Sequence, residues 1–458
     1  MGLILGSGST KPQYPYDMWY GVQGDFTSKD YKLTRIGNMD LHRTLPIQKK
    51  LRRFVENTDG SVKYYLHQND SRKKDSGATA KLDTTDGNVM LEKPEYFCRF
   101  EVEGTRWAMC ISEYALPGFV RMSRKTLSPW CATIDIANSI AVSGCWLQWG
   151  ADDELLRDAN GFISLLPNAA NFRGGNGAGA AAKDGKYNSQ LGMPRTSISK
   201  AGARPFCKNG THLGVARAYM EIGWLQRIEY ASLHCQDAYN ETLTADGFHQ
   251  GGLGSGPVAN ADQWNTWGGG YYPFVPCGVT APLGNNTGRI SYTIKGWTGG
   301  DKVVQCLSYR GLELPYEYLW LLADDLLVHC SPETADAPGH CTAYGCTDPT
   351  KFASPSDTAT SIPDGYVPIT ELPTTEGYIW NFGFSYDGFT LPTSVGGASN
   401  QGMCDYFWRI AKATANGWYG ALLSANANNG ARAGFGSLSA GSRSSWSYAV
   451  GAFRLCRF

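Results

Sequence analysis

The sequence predicts an α+β chain, rich in loops and fronted by a small β-rich domain. Three observations support this. Between residues 21 and 118, apolar and polar side chains alternate in SVKYYLHQ, NVMLEKP, YFCRFEVEG and TRWAMCISEY. Broken by DG and EG turns, this is the period-2 pattern of antiparallel strands. One later stretch, GVARAYMEIGWLQRIEYASLHC (214–235), places Ala218, Ile222, Leu225, Ile228 and Tyr230 at helical spacing. Most of the remainder is Gly-, Pro- and Asn-rich loop with short apolar runs such as RISYTIKGW and YIWNFGFSY. Long loops on little regular structure usually carry function.

Composition narrows the class. The 458 residues hold 41 Lys+Arg against 41 Asp+Glu, 12% aromatics and 55 Gly. A disordered chain would have few aromatics and a large net charge. A whole-chain nucleic-acid binder would be basic. No apolar stretch reaches the length of a membrane span, so neither nucleic-acid binding nor membrane insertion is predicted. MGLILGSGSTKPQYPYDMWYG shows no basic n-region and predicts no signal peptide.

Along the chain, residues 1–20 read as an irregular arm and 21–118 as the β-rich attachment or accessory domain. The first 125 residues hold 20 Lys+Arg and 15 Asp+Glu, a local excess of +5. Within them, KKLRR (Lys49 to Arg53) reads as a solvated face, since acidic residues interleave nearby. From 119 to 458 the texture changes to a second domain. There DIANSIAVSGCWLQWG (135–150) is a further helix candidate. No internal repeat stands out.

Thirteen Cys sit mostly singly inside apolar runs, as Cys98, Cys110, Cys145 and Cys456 do, and read as buried free thiols. His329, Cys330, His340, Cys341 and Cys346 cluster. They admit an ordinary loop, a disulfide or a zinc site, although no CxxC is present and adjacent His-Cys pairs point apart. There is no GxSxG, GxxxxGK[ST] or HExxH motif. NFRGGNGAGAAAKDG (171–185) contains GxGxxA without a preceding strand and reads as a loop. Asp324–Asp325 has no evident base or metal beside it. On these grounds a binding protein is predicted, not an enzyme, with no cofactor and no metal.

The last 42 residues are unusual. Gly, Ala, Ser and Asn make up 25 of them, and their only charges are Arg432, Arg443, Arg454 and Arg457. Apolar ends, GWYGALL and AVGAFRLCRF, enclose a small polar middle with Phe435, Trp446 and Tyr448 interspersed. This predicts a structured loop surface of the kind adaptable paratopes use.

Three blocks then carry a resemblance. GWLQRIEYASLHC (223–235), YRGLELPYEYLWLLADDLLV (309–328, with Gly311, Trp320 and Asp324) and GSRSSWSYAVGAFRLC (with Trp446, Gly451, Phe453, Arg454 and Leu455) resemble the C-type lectin fold in its formylglycine-generating-enzyme-like form. NFRGG, LGMPRTSIS, PFVPCG with LGNNTG, and LPTSVGG with CDYFW are similar to a subgroup: the variable proteins of diversity-generating retroelements. TRIGNMDLHRTLPIQKKLRR, VKYYLH and ISEYALPGF resemble segments that precede the lectin fold in that subgroup.

The resemblance implies a lectin domain at 119–458 with a variable region at 418–458. Retroelement mutagenesis acts on adenines, so the varied positions must tolerate many side chains and face solvent. It implies as ligand-binding positions Tyr419, Ser424, Asn426, Asn428, Asn429, Arg432, Phe435, Ser437, Ser439, Ser442, Arg443, Ser445 and Tyr448. Phe435 and Tyr448 are the expected anchors, since aromatics dominate binding hot spots. Trp418, Leu422, Trp446, Gly451, Phe453 and Leu455 are the expected scaffold. The copper-binding cysteine pair of the related enzymes is missing, since only Cys456 follows Cys404. Calcium-ligand EPN and WND motifs are missing too. The implied function is a phage receptor-binding protein, at a tail-fibre tip on the virion. Its partners would be a host cell-surface protein or glycan and other virion tail proteins, with a homotrimer favoured. A bacterial cell-surface adhesin, or an enzyme on the same scaffold, are the alternatives.

Overall fold

The computed structural model describes residues 15–458 apart from 136, 153, 158–171, 174–190, 258–274, 295–301, 336–338, 410–415 and 449. Most of the expected arm and of the 171–185 loop lie outside the described residues. Strand accounts for 40% of the structure and helix for 12%, with long loops between. The alternating runs of the front all form strands. Tyr96–Glu103 and Arg106–Ser112 pair antiparallel across the Glu103–Gly104 turn, in a five-stranded sheet with Tyr20–Asp25, Thr34–Gly37 and Val120–Met122. Tyr96, Cys98, Phe100 and Val102 point inward, as period 2 requires.

A second sheet of seven strands holds Arg52–Glu56, Val62–His67, Asp70–Lys74, Val89–Lys93 and Lys125–Leu127. It then takes in Leu455–Arg457 from the far end of the chain and His212–Leu213. The chain's last strand therefore completes a sheet begun at residue 52. One hydrophobic core runs from Tyr20 to Leu455. The expected boundary between 118 and 119 does not separate two cores. Arg454 reinforces the closure, donating to the carbonyls of Ser128 and Glu313.

The KKLRR run is not one solvated face. Arg53 is fully buried and donates to Gly311 O and Thr280 Oγ1, while Arg52 and Lys50 pair with Asp75 and Glu113. The helix expected at 135–150 is instead a hairpin, Thr133–Asp135 with Ile140–Val142. The Asp135 side chain accepts from Asn138 N, and the turn uses Ser139 at φ 51°. Asp and Asn favour such turns over a helix interior.

The second helix candidate forms as Ala216–Tyr230 and stops at Ala231, which takes the left-handed conformation that ends helices. All fifteen residues are buried, not only the apolar stripe. Each of its four charged side chains has its own buried partner on a different segment. Arg217 meets Asp325, Glu221 meets Lys93 and Lys125, Arg227 meets Asp405, and Glu229 meets Arg310. Val215 offers the helix no side-chain cap, so the Asp325 carboxylate takes that role, accepting from the backbone N of Ala216 (2.6 Å) and Arg217 (3.2 Å). Asp324 binds Arg204 through two 2.6 Å contacts. The Asp324–Asp325 pair is thus structural.

The C-terminal half is built on a nine-stranded sheet. Its order is Tyr366–Glu371, His340–Cys346, Trp320–Ser331, Gly417–Leu423, Leu438–Arg443, Tyr406–Trp408, Gly377–Phe384 and Thr390–Val395, with Gly451–Ala452 parallel to Trp320–Leu321. The His/Cys cluster is not a loop. Cys330 and Cys341 face each other on neighbouring antiparallel strands and form a disulfide. That consumes two of the thiolates a zinc site would need. Among the described residues no group of three or more His, Cys, Asp and Glu side chains converges as metal ligands. Among them, too, no helix is long and apolar enough to cross a membrane.

Candidate binding surface

The C-terminal segment begins as Gly417–Leu423, buried along its whole length in the middle of the nine-stranded sheet. Trp418 is fully buried against His329 and Tyr344. Leu422, Phe453 and Leu455 are also core, and Trp446 lies over Gly451, where a Cβ would meet the indole at 2.1 Å. The expected scaffold residues therefore all pack.

The thirteen expected binding positions divide. Tyr419, Ser424, Asn426, Phe435, Ser437 and Ser439 are buried and do not face solvent. Tyr419 lies under the Arg443 guanidinium, 4.1 Å from its ring. The Ser424 and Ser437 hydroxyls donate to the carbonyls of Leu319 and Arg432, and Ser439 lies beside Trp408 in the sheet. Asn426 caps the 3-10 turn Ala427–Arg432, and Asn429 returns the bond to Asn426 N. These polar groups are spent on the backbone that would otherwise be unsatisfied.

Phe435, the expected anchor, is 1% exposed. Its ring lies 5.3 Å from Tyr219, 5.8 Å from Tyr316 and 6.1 Å from Tyr309. The glycines beside it explain how it gets there. A Cβ on Gly434 would sit 1.7 Å from Asp405 Oδ1, and one on Gly436 2.7 Å from Oδ2. Only glycine lets the backbone press this close. The same carboxylate accepts from Gly436 N at 2.8 Å and from Arg227 at 3.1 Å. Burial pushes the Asp405 carboxyl up to about 6, against the Arg227 charge that lowers it.

Asn428, Arg432, Ser445 and Tyr448 are exposed, Tyr448 at 63%, while Asn429, Ser442 and Arg443 are half-buried. Arg443 also donates to the carbonyls of Asn416 and Trp418.

Arg432 has company that the sequence reading missed. Its guanidinium lies 4.8 Å over the Tyr406 ring. Tyr406 in turn contacts Trp408 (4.7 Å) and Tyr378 (5.1 Å), and Trp408 meets Trp320 at 5.0 Å. Tyr406 and Trp408 point to one face because Phe407 between them points to the core. Gly451, under Trp446, pairs with Trp320, and Trp446 stacks near Tyr448 at 5.4 Å. The outcome is two groups of part-exposed rings, Tyr378, Tyr406 and Trp408 beside Arg432, and Trp446 with the exposed Tyr448, while Trp320 packs buried against Trp408. The signal was present in CDYFW, where two aromatics stand two residues apart. Rings, guanidinium and small polar side chains suit stacking, cation–π and hydrogen-bonded contact.

No known family model matches the chain, and no curated protein matches it.

Proposed function

We propose that this chain is a receptor-binding adhesin of a phage tail fibre, with a C-type lectin-like, formylglycine-generating-enzyme-like domain of the retroelement-diversified kind. It binds a host-surface protein or glycan without chemical conversion. The observation that carries the reading is the set of part-exposed rings: Tyr378, Tyr406 and Trp408 on the nine-stranded sheet with Arg432 over Tyr406, and Trp446 with Tyr448 between the strands Leu438–Arg443 and Gly451–Ala452. Rigid aromatics and Arg are the residues that dominate hot spots. Diversification then falls most freely on Asn428, Arg432, Ser442, Ser445 and Tyr448, whereas Asn429 closes the cap on Asn426 and Arg443 covers the buried Tyr419. Several copies on one virion, a trimer at each tip, reinforce weak single contacts.

The test is a double variant, Arg432→Ala with Tyr448→Ala, measured for adsorption to susceptible bacteria. Loss of adsorption with an unchanged melting temperature is expected. Full adsorption by the folded variant removes this surface from the proposal. In the encoding DNA, a near-copy of the segment for residues 418–458, differing mainly at adenines, is expected beside a reverse transcriptase.

A further inference from the structure

We propose that a second, separate cleft, between the turn after Tyr20–Asp25 and the strand Gly377–Phe384, binds a neutral mono- or disaccharide. The cleft encloses about 320 Å³, at the small end of the range of small-molecule sites. None of the thirteen expected binding positions lines it.

Its apolar wall is Phe26, Trp107, Trp380 and Phe382. Three of these rings form one packed cluster. Phe26 meets Phe382 at 5.6 Å, and Trp107 meets Phe382 at 5.2 Å. Trp107 and Phe382 also lie against Trp224 of the buried helix, at 5.8 and 5.4 Å. This part of the wall is rigid before any ligand arrives. Trp107 fits because position 24 is glycine, where a Cβ would meet its indole at 2.5 Å. Trp380 is only half-buried and offers a stacking ring.

The rim is polar: Gln23, Ser28, Asp30, Lys32, Thr34 and Arg106. It supplies donors and acceptors together, as vicinal hydroxyls require. Lys32 and Arg106 make no ion pair or side-chain hydrogen bond among the described residues, although Arg106 is near enough to help depress the Asp25 carboxyl. Two acids, Asp25 and Asp30, balance these two cations, so the cleft has no net charge. That disfavours a polyanion or a polycation and suits an uncharged polar ligand with apolar ring faces.

The walls come from distant parts of the chain yet are tied together. Phe26 N donates to Thr105 O at 2.8 Å, and the Asp25 carboxylate accepts from Thr27 and Thr105. Leu33 N donates to Ala231 O, and Leu233 N to Tyr31 O, fixing the other side to the end of the buried helix. A preorganised site of this kind loses little entropy on binding.

The experiment titrates the full chain with methyl glycosides and disaccharides of glucose, galactose, mannose and N-acetylglucosamine. Binding is read by saturation-transfer NMR and by tryptophan fluorescence. At least one sugar is expected to saturate with a dissociation constant of about 1 mM. Trp380→Ala should weaken it at least tenfold with an unchanged melting temperature. Lys32→Ala, on an exposed side chain, serves as the second variant and should weaken it about threefold. Arg432→Ala with Tyr448→Ala should leave sugar binding intact, so the cleft and the adhesive surface stand or fall separately. No saturation by any sugar overturns the proposal. So does binding lost in the Arg432/Tyr448 variant but kept in Trp380→Ala and Lys32→Ala.

Discussion

Replacing Phe435 by Ala should unfold the protein more readily, not merely blunt its binding. The side chain is 1% exposed and walled by Tyr219, Tyr309 and Tyr316. Behind it the helix comes so close that a Cβ on Gly223 would lie 2.9 Å from the Phe435 Cβ. Truncation of a buried Phe costs about 3–5 kcal/mol, the spread reflecting how far the site collapses. Collapse is restricted here. Tyr316 is held by the carbonyls of Cys235 and Gly254, and Tyr309 by Glu229. The upper half of that range, about 4–5 kcal/mol, is therefore expected. Urea unfolding followed by circular dichroism measures it, with Tyr448→Ala as control. At 63% exposure Tyr448 should change stability by no more than about 0.5 kcal/mol. If Phe435→Ala costs less than about 1 kcal/mol, the ring is not the plug described and the burial argument fails.

Three further outcomes follow from the buried charges and the disulfide. Glu221→Gln leaves Lys93 and Lys125 buried without their shared counter-charge and should cost about 3–5 kcal/mol in urea unfolding, whereas Lys93→Met, which leaves one lysine for one glutamate, should be near neutral. Burial pushes the Glu317 carboxyl from 4.5 up to about 7. The folded state therefore holds its proton more tightly, and this stability is complete below about pH 4.5 and lost as pH rises through 7. Glu317→Gln should flatten that slope, worth up to about 3 kcal/mol, and an unchanged pH profile would refute the assignment. Cys330 and Cys341 close a short loop, eleven residues apart in sequence. Their reduction should lower stability by about 2–3 kcal/mol, read as a drop in melting temperature on adding dithiothreitol that Cys341→Ser abolishes.

Much of the fold was legible because its local signals agree with its tertiary role. The runs at Val62–His67, Tyr96–Glu103 and Arg106–Ser112 alternate and form strands that turn at Asp59–Gly60 and Glu103–Gly104. The helix was legible from its stripe, but its complete burial was not, because Arg217, Glu221, Arg227 and Glu229 read as a solvent face until their partners are placed. The segment 135–150 misled because its apolar spacing fits either period, and the Asp135–Asn138 turn decided for a hairpin. The surface was only partly legible. Asn428, Arg432 and Tyr448 face solvent as expected, while Phe435 and its neighbours from Ala433 to Ala440 do not. Small residues mark an exposed loop and a close backbone approach equally well.

By itself, then, the sequence determined the periodic elements, the absence of a membrane-length apolar span and the apolar anchors at both ends of the last 42 residues. These follow from local spacing and composition. Tertiary structure alone decided which polar residues are buried. Asp405 must sit against Gly434 and Gly436, Asp325 must reach a helix end 108 residues away, and Leu455–Arg457 must close a sheet begun at Arg52. It alone also joined Tyr378, Tyr406 and Trp408 to Arg432. The physical reason is the same in each case: burial and pairing depend on partners far apart in the chain, and no local pattern encodes them.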